Sequence, residues 1–272
     1  VTVSLDMLLE TAVEGARRAG RVLADGFHQP RTIDFKGGID LVTDADRASE
    51  KVLLEWLRAR HPDHAILSEE SGASAGSTYR WIIDPLDGTT NYAHTLPHFS
   101  VTVAVEGQGG IEVGVVYDPM RDELFSAVRG RGATLNGRPI RPSGIERLDR
   151  ALLCTGFPYD VREHPEGPAG LIARFLGVAQ GIRRLGSAAL DMAYIASGRY
   201  DGYFEFNLKP WDVAAGALLC WEAGAVASRI DGAPYDTSVV DILAAAPGVA
   251  PALTDECRRF LAEIHWKPKP FR

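Results

Sequence analysis

Apolar residues in the first thirty positions return every three or four places, at Leu5, Leu8, Leu9, Ala12, Val13, Ala16, Ala19, Val22 and Leu23. That spacing predicts one amphipathic helix over residues 5–27. A second helix is predicted over residues 44–60, with Val52, Leu53, Trp56 and Leu57 inward. Between them residues 31–36 read as a short strand, followed by a loop at Gly37-Gly38. Short apolar runs at 65–67 and 80–83 read as buried strands, separated by a small, polar, loop-like stretch at 71–78. Alternation then marks strands at 98–106, 111–117 and 123–128. Their links, and the Asn136-Gly137 turn, have the chemistry of hairpins, so the middle of the chain is expected to form an antiparallel sheet.

After Pro142-Ser143-Gly144 the pattern changes. Short apolar strands at 151–154, 203–205, 225–227 and 242–245 alternate with helices near 167–178, 188–197, 213–223 and 249–264. Such alternation predicts a layered α/β second half. A boundary near 140–146 would divide an N-terminal α+β domain, 1–142, from a C-terminal α/β domain, 143–272.

Composition narrows the function classes. The 272 residues include 29 Lys and Arg against 36 Asp and Glu, for a net charge of −7. An acidic surface repels nucleic acid and anionic membrane. If such a protein handles anionic phosphate it needs local positive charge, which a bound metal can supply. Cys154, Cys220 and Cys257 are widely spaced and form no C-x-x-C pair, which argues against a zinc ribbon or redox dithiol and fits a reducing cytoplasm. The first helix mixes charge throughout, unlike a signal peptide, and no run is long enough to span a bilayer.

Candidate chemistry concentrates at Asp84-Pro85-Leu86-Asp87-Gly88-Thr89-Thr90. A buried strand ends at Asp84, Pro85 stops its ladder, and a helix opens after Gly88. Two carboxylates at such a turn suit hard cations, and free amides at the helix start suit a phosphate. An acidic pair at a turn can equally be mere capping. Glu69, at another strand end, and Asp212, placed to cap a helix, have the same ordinary readings singly. Together, Glu69, Asp84, Asp87 and Asp212 could form a cluster that repels itself unless metal ions neutralise it.

Trp81-Ile82-Ile83-Asp84-Pro85-Leu86-Asp87-Gly88-Thr89-Thr90-Asn91 and Trp211-Asp212-Val213-Ala214-Ala215-Gly216 closely resemble the two signature motifs of the inositol monophosphatase family. Three lesser motifs resemble it in the same order: Leu41 through Asp46, Ser68-Glu69-Glu70-Ser71, and Gly186-Ser187-Ala188-Ala189. The resemblance implies a sandwich of alternating αβαβα layers, of the kind shared with fructose-1,6-bisphosphatase, and a homodimer. It implies Mg²⁺-dependent hydrolysis of a small phosphate monoester, with two to three ions per site. Glu69, Asp84 and the Leu86 carbonyl match ligands of a first ion, Asp84, Asp87 and Asp212 those of a second, and Glu69 helps hold a third. Thr89 and Glu69 match the pair that orients the attacking water, and the Gly88 and Thr89 amides match the phosphate cradle. Lys36 and Asp46 match supporting positions. Glu205, Gly186, Ser187 and Ala188, with Asp87 and Asp212, match the substrate pocket, to which Arg183 or Arg184 could add positive potential.

Within this resemblance the bacterial inositol-1-monophosphatase type fits best, with fructose 1,6-bisphosphate or a broad range of sugar phosphates as the alternative. Relatives of this type also act as interaction proteins of the transcription and translation machinery. Residues 72–79 are shorter than the corresponding family loop, which bears on the third ion and on lithium sensitivity. His61 and His64 read as a helix-ending loop, His94 and His98 as core or rim, and residues 267–270 as a frayed tail. Trp81 and Trp211 are expected to pack behind the metal floor. Asp87→Asn and Asp212→Asn are expected to abolish turnover and leave the fold intact; activity assays beside melting curves check both halves of that expectation.

Overall fold

The computed structural model describes residues 3–30, 32–35, 41–76 and 78–265. Lys36, the Gly37-Gly38 loop and the 267–270 tail lie outside them. Helix α1 (Leu5–Gly26) buries the predicted stripe, including Leu8, Ala12, Ala16, Ala19 and Leu23. Its start is capped by the Ser4 hydroxyl, which accepts from the Met7 amide at 3.2 Å. A short hairpin of β1 (Ile33–Phe35) and β2 (Leu41–Thr43) leads into α2 (Asp44–Arg60), where Thr43 and Asp46 form a capping box.

The first large sheet has eight strands. In chain order they are β3 (Ala65–Ser68), β4 (Gly72–Ser74), β5 (Arg80–Asp87), β6 (Ser100–Gly107), β7 (Gly110–Asp118), β8 (Glu123–Val128), β9 (Ala133–Leu135) and β10 (Arg138–Pro139). They lie in the order β10-β9-β8-β7-β6-β5-β3-β4. The predicted hairpins hold, and the sheet is antiparallel except that β3 and β5 run parallel. The stretch read as loop at 71–78 contains β4, an exposed three-residue edge strand of small residues with too little apolar pattern to announce itself. Between β5 and β6 lies the five-residue helix α3 (Thr89–Ala93).

The second sheet has order β12-β11-β13-β15-β14. Its strands are β11 (Leu152–Thr155), β12 (Gly181–Arg183), β13 (Gly202–Glu205), β14 (Val226–Ser228) and β15 (Ile242–Ala245), and its pairings mix parallel with antiparallel. Four helices complete the chain: α4 (Glu166–Leu176), α5 (Ala188–Ala196), α6 (Pro210–Ala223) and α7 (Ala250–Glu263).

Alternation along the strands sorts these elements into layers. Val101, Val103 and Val105 of β6 join α1 and α2 in one core, whereas Ala104 of the same strand joins α5 and α6 in another. On the second sheet Tyr203 and Ala244 face α5 and α6, while Phe204 and Leu243 face α4 and α7. The result is the expected αβαβα sandwich, with α5 and α6 in the middle. A helix between two sheets must be apolar all round and slim. Every residue of α5 is buried, and α6 presents Ala214, Ala215, Gly216 and Ala217 to its neighbours. Among the described residues no helix is long and apolar enough to cross a membrane. The three cysteines are buried and free.

The middle layer sits tightly on the first sheet. A Cβ placed on Gly114 of β7 would come within 2.9 Å of the Ala215 carbonyl oxygen, a backbone atom that cannot swing aside. Gly114→Ala is therefore expected to destabilise the protein by about 1–3 kcal/mol. Urea unfolding checks this, and an unchanged midpoint would mean that the layer yields at this contact.

Candidate active site

The site begins with an irregularity in β5. Its register with β6 sets Asp84 opposite Thr102 and Asp87 opposite Ser100, so three steps along β5 match two along β6. One extra residue is thus accommodated at Pro85-Leu86, which is a β-bulge. On a regular strand, residues three apart point to opposite faces. The bulge puts Asp84 and Asp87 on the same face, the one that Ser100 and Thr102 share. Leu86 meanwhile turns into the core beneath α1 and α2. Proline has no N–H to offer the ladder, and the Pro85 carbonyl accepts the Ser49 hydroxyl of α2 at 2.7 Å. The Leu86 amide donates to Asp84 Oδ1 at 2.8 Å. Pro85 therefore bends the strand without stopping it, contrary to the sequence reading.

The other two acids arrive by topology. Because β3 and β5 are parallel, their C-terminal ends lie side by side. Ser68 is opposite Ile83, and the Glu69 amide donates to the Ile83 carbonyl at 3.3 Å. Asp212 is the third residue of α6 and not its N-cap, since the helix starts earlier than predicted, at Pro210. Its Oδ2 accepts from the Lys209 amide at 2.6 Å, and the Thr102 hydroxyl holds the Trp211 carbonyl at 2.8 Å. Asp87 is just as embedded. Its Oδ2 accepts from the Ser187 hydroxyl at 2.5 Å, the Ala189 amide at 3.0 Å and the Ser100 hydroxyl at 3.3 Å. Both carboxylates thus fasten helix starts as well as facing the pocket. This corrects the premise that each is a ligand alone and makes no structural contact.

Glu69, Asp84, Leu86, Asp87 and Asp212 all border one pocket of about 240 Å³. Gly88, Thr89, Gly186, Ser187, Ala188 and Glu205 line it as well. Gly88 has φ +100°, and a Cβ there would press on His98 O, Phe99 and Gly186 O, so glycine is required where the two loops meet. Asp46 stands behind this lining, buried. Its Oδ2 accepts from the Thr43 amide and hydroxyl, and its Oδ1 accepts the Thr89 hydroxyl at 3.0 Å. The Leu86 carbonyl is also 3.0 Å from that hydroxyl. Of the two arginines, Arg184 borders the pocket, whereas Arg183 donates back to the Ile182 carbonyl at 3.2 Å.

Some residues escaped the sequence reading. Trp211 borders the pocket and does not pack behind it, while Trp81 is fully buried in the core as expected. Asn91 bridges the His98 and Leu185 carbonyls, each at 2.7 Å, and so pins the Gly186 loop to the turn. Asp191 also lines the pocket; its place four residues after Ser187, one helical turn, was the available signal. His61 and His64 are packing residues. Their rings stack at 4.7 Å, and the Trp81 indole N–H donates to His64 Nδ1 at 3.1 Å.

Charge is concentrated here against its own preference. Burial raises the Asp84 pKa well above the usual carboxylate range, and the charges of Glu69, Asp87 and Asp212 raise it further. Asp212 is raised by burial and then by Glu69, with the Lys209 amide opposing. Burial pushes Asp87 up to about 6 despite the Ser187, Ala189 and Ser100 donors. Glu205 is raised to about 7, again by burial, with the Tyr203 hydroxyl and Arg184 opposing.

The sequence profile described as the inositol monophosphatase family matches residues 4–263. The chain belongs to that family. Nus factor SuhB of Escherichia coli (strain K12) is 43% identical over 260 residues, covering 94% of this chain and 97% of that protein. The extragenic suppressor protein suhB from Bartonella henselae superposes with a TM-score of 0.87 at 37% identity, covering 93% of this chain and 98% of its own. Inositol monophosphatase from Anabaena (Nostoc) sp. PCC 7120 gives 0.84 at 41% identity, covering 97% and 100%.

Family membership supports metal-dependent phosphatase chemistry, generally with Mg²⁺. The donor set fits that ion. The pocket offers carboxylates and carbonyls with no histidine or cysteine among its lining residues, the chemistry of a hard cation. Among the described residues no three His, Cys, Asp or Glu side chains are drawn tightly enough to enclose an ion alone. An open acidic wall still suits Mg²⁺, which keeps several waters and leans on substrate phosphate.

Glu205 makes the electrostatics testable. Its folded pKa of about 7 exceeds the ordinary 4.5, so the folded state holds the extra proton between those values. Stability therefore falls as pH rises through that window. In metal-free protein, Glu205→Gln is expected to remove on the order of 2–3 kcal/mol of that fall. Urea midpoints at pH 5 and 7.5 measure it, and identical slopes for parent and variant would contradict the assigned burial.

Proposed function

We propose that this protein is a Mg²⁺-dependent phosphatase of small phosphate monoesters, with myo-inositol 1-phosphate as its preferred substrate. The observation that carries this reading is the gathering of Glu69, Asp84, Asp87 and Asp212 on one pocket beside Thr89. In this reading Glu69, Asp84 and the Leu86 carbonyl hold a first ion, and Asp84, Asp87 and Asp212 a second. Glu69 shares in a third, with Lys36 in support. Bound Mg²⁺ supplies a lowered pKa for coordinated water and stabilises charge on the attacking and leaving oxygens.

The chain's own groups do the rest. The Thr89 hydroxyl lies within reach of two acceptors, Asp46 Oδ1 and the Leu86 carbonyl. Its hydrogen is thereby committed inward, leaving its lone pairs to accept from a water in the pocket. Thr89 and Glu69 together orient that water for attack. Asp46 holds the Thr89 hydroxyl in place by accepting its hydrogen and, with Lys36, supports the third ion and Glu69. The Gly88 and Thr89 amides cradle the phosphate, aided by their place at a helix start. Glu205, Asp87, Asp212 and the Gly186-Ser187-Ala188 loop hold the alcohol portion. Inositol 1-phosphate is favoured by the likeness to the Anabaena inositol monophosphatase, which spans nearly both chains. The same core would serve a sugar phosphatase acting on fructose 1,6-bisphosphate. The reading places a homodimer in the cytoplasm and includes inhibition by lithium. It also takes residues 1–142 and 143–272 as two units, one supplying most metal ligands and the other Asp212 and Glu205.

A second reading rests on the name Nus factor, borne by curated relatives at 43–44% identity. It makes the chain an interaction protein, with or without catalysis. Affinity purification of parent and Glu69→Gln protein separates the two, because a partner held equally by both would bind independently of turnover.

A panel of phosphate esters assayed with and without Mg²⁺ tests the main reading. The expected result is metal-dependent release of phosphate, fastest from myo-inositol 1-phosphate. Glu69→Gln is expected to lower kcat by more than about a hundredfold, the scale of losing several kcal/mol of metal-borne stabilisation. Activity that survives chelation, or a near-normal Glu69→Gln enzyme, would sink the mechanism. Equal rates on all esters would remove only the substrate assignment.

A further inference from the structure

Asp191 has no part in the mechanism above, yet it borders the same pocket with only 1% of its surface exposed. It lies in the first turn of α5, one turn after Ser187. Its Oδ1 is buried and makes no hydrogen bond. Buried polar atoms are nearly always satisfied, because leaving one unmet carries the full penalty of its lost hydration. The neighbouring acids do not share this condition. Asp87 Oδ2 is held by two hydroxyls and an amide, and Glu205 Oε2 accepts the Tyr203 hydroxyl at 2.6 Å.

The surroundings define what could satisfy it. Arg184 is close enough to favour ionisation of both Asp191 and Glu205, while burial and the charge of Glu205 oppose ionisation of Asp191. Asp191 and Glu205 together repel a further anion beside them, and Arg184 already supplies the positive charge that both feel. An alcohol hydroxyl remains: it donates to an unmet carboxyl oxygen and adds no charge. Glu205 offers another carboxyl group on the same wall. Two such groups suit an alcohol that carries more than one hydroxyl.

We propose that Asp191 is a specificity residue, which with Glu205 reads hydroxyl groups on the alcohol portion of the substrate and so selects polyhydroxylated phosphate esters over esters of simple alcohols. This rests on the phosphatase reading and extends it, since neither the signature motifs nor the implied ligand set uses Asp191. A site built to bond hydroxyls discriminates strongly against a substrate without them, because its own polar groups are then left unpaired.

The test compares kcat and KM for myo-inositol 1-phosphate and phenyl phosphate, with Mg²⁺, in parent, Asp191→Ala and Asp191→Asn enzymes. Phenyl phosphate shares the phosphate and lacks the hydroxyls. In Asp191→Ala the ratio of kcat/KM between the inositol and phenyl esters is expected to fall by about tenfold or more, mainly through KM for the inositol ester. Asp191→Asn keeps the shape and one polar pair, so its ratio should lie between parent and Ala. If the Ala variant fails to fold in a melting assay, the Asn variant carries the comparison. Equal losses on both esters would mark Asp191 as structural and overturn the inference, as would unchanged ratios in the folded variants. A parent enzyme that released phosphate from neither ester would instead refute the phosphatase reading, and this inference with it.

Discussion

One extra residue in β5 is the constraint on which the site depends. Without the bulge at Pro85-Leu86, Asp84 and Asp87 would sit on opposite faces of the first sheet, one of them in the apolar core under α1 and α2. With it, both carboxylates look toward the middle helix layer, paired across the ladder with Thr102 and Ser100. Proline stabilises the irregular step because it has no amide to leave unpaired there. Ser49 from α2 holds its carbonyl from behind. The bulge also places Leu86 so that its side chain is core and its carbonyl faces the Thr89 hydroxyl.

The middle layer completes the site and is itself positioned by it. The starts of α5 and α6 both arrive at the bulge. The first is tied by Ser187 and Ala189 to Asp87, and the second by the Thr102 bond to Trp211. Slim residues let this layer lie close enough for such bonds to form, as the contact of Gly114 with Ala215 illustrates. The acids therefore carry two burdens. Asp87 ties the start of α5 across the layers, and Asp212 fastens the start of its own helix. With Glu69 and Asp84 they concentrate negative charge in a buried pocket where burial and mutual repulsion resist ionisation. A divalent cation bound there would relieve the second burden.

Much of this was legible in the sequence because it is local. The helix stripes of α1 and α2, the hairpins of the first sheet and the capping signals depend on neighbours a few residues away. Family motifs added the long-range grouping of Glu69, Asp84, Asp87 and Asp212, and all four line one pocket. What stayed hidden depends on register and partners. Pro85 looked like the end of a strand because a bulge is defined only by the opposite strand. β4 has three small exposed residues and no pattern to read. Asp212 looked like a cap because Pro210, at the true first turn, resembles a loop residue when read alone. Asp191 was hidden by its own neighbourhood, an apolar helix in which a single acid looks incidental until its unpaired oxygen is placed beside the pocket.

The central claim is that these carboxylates share divalent ions in the pocket. Calorimetric titration of metal-free protein with Mn²⁺, a probe that takes the same oxygen donors, tests it most directly. The account predicts saturable binding of more than one ion per chain, accompanied by proton release that is visible as a dependence of the heat on buffer. It also predicts that Asp212→Asn loses one of those ions while remaining folded enough to bind another. Absence of saturable binding, or a variant isotherm indistinguishable from the parent, would contradict it.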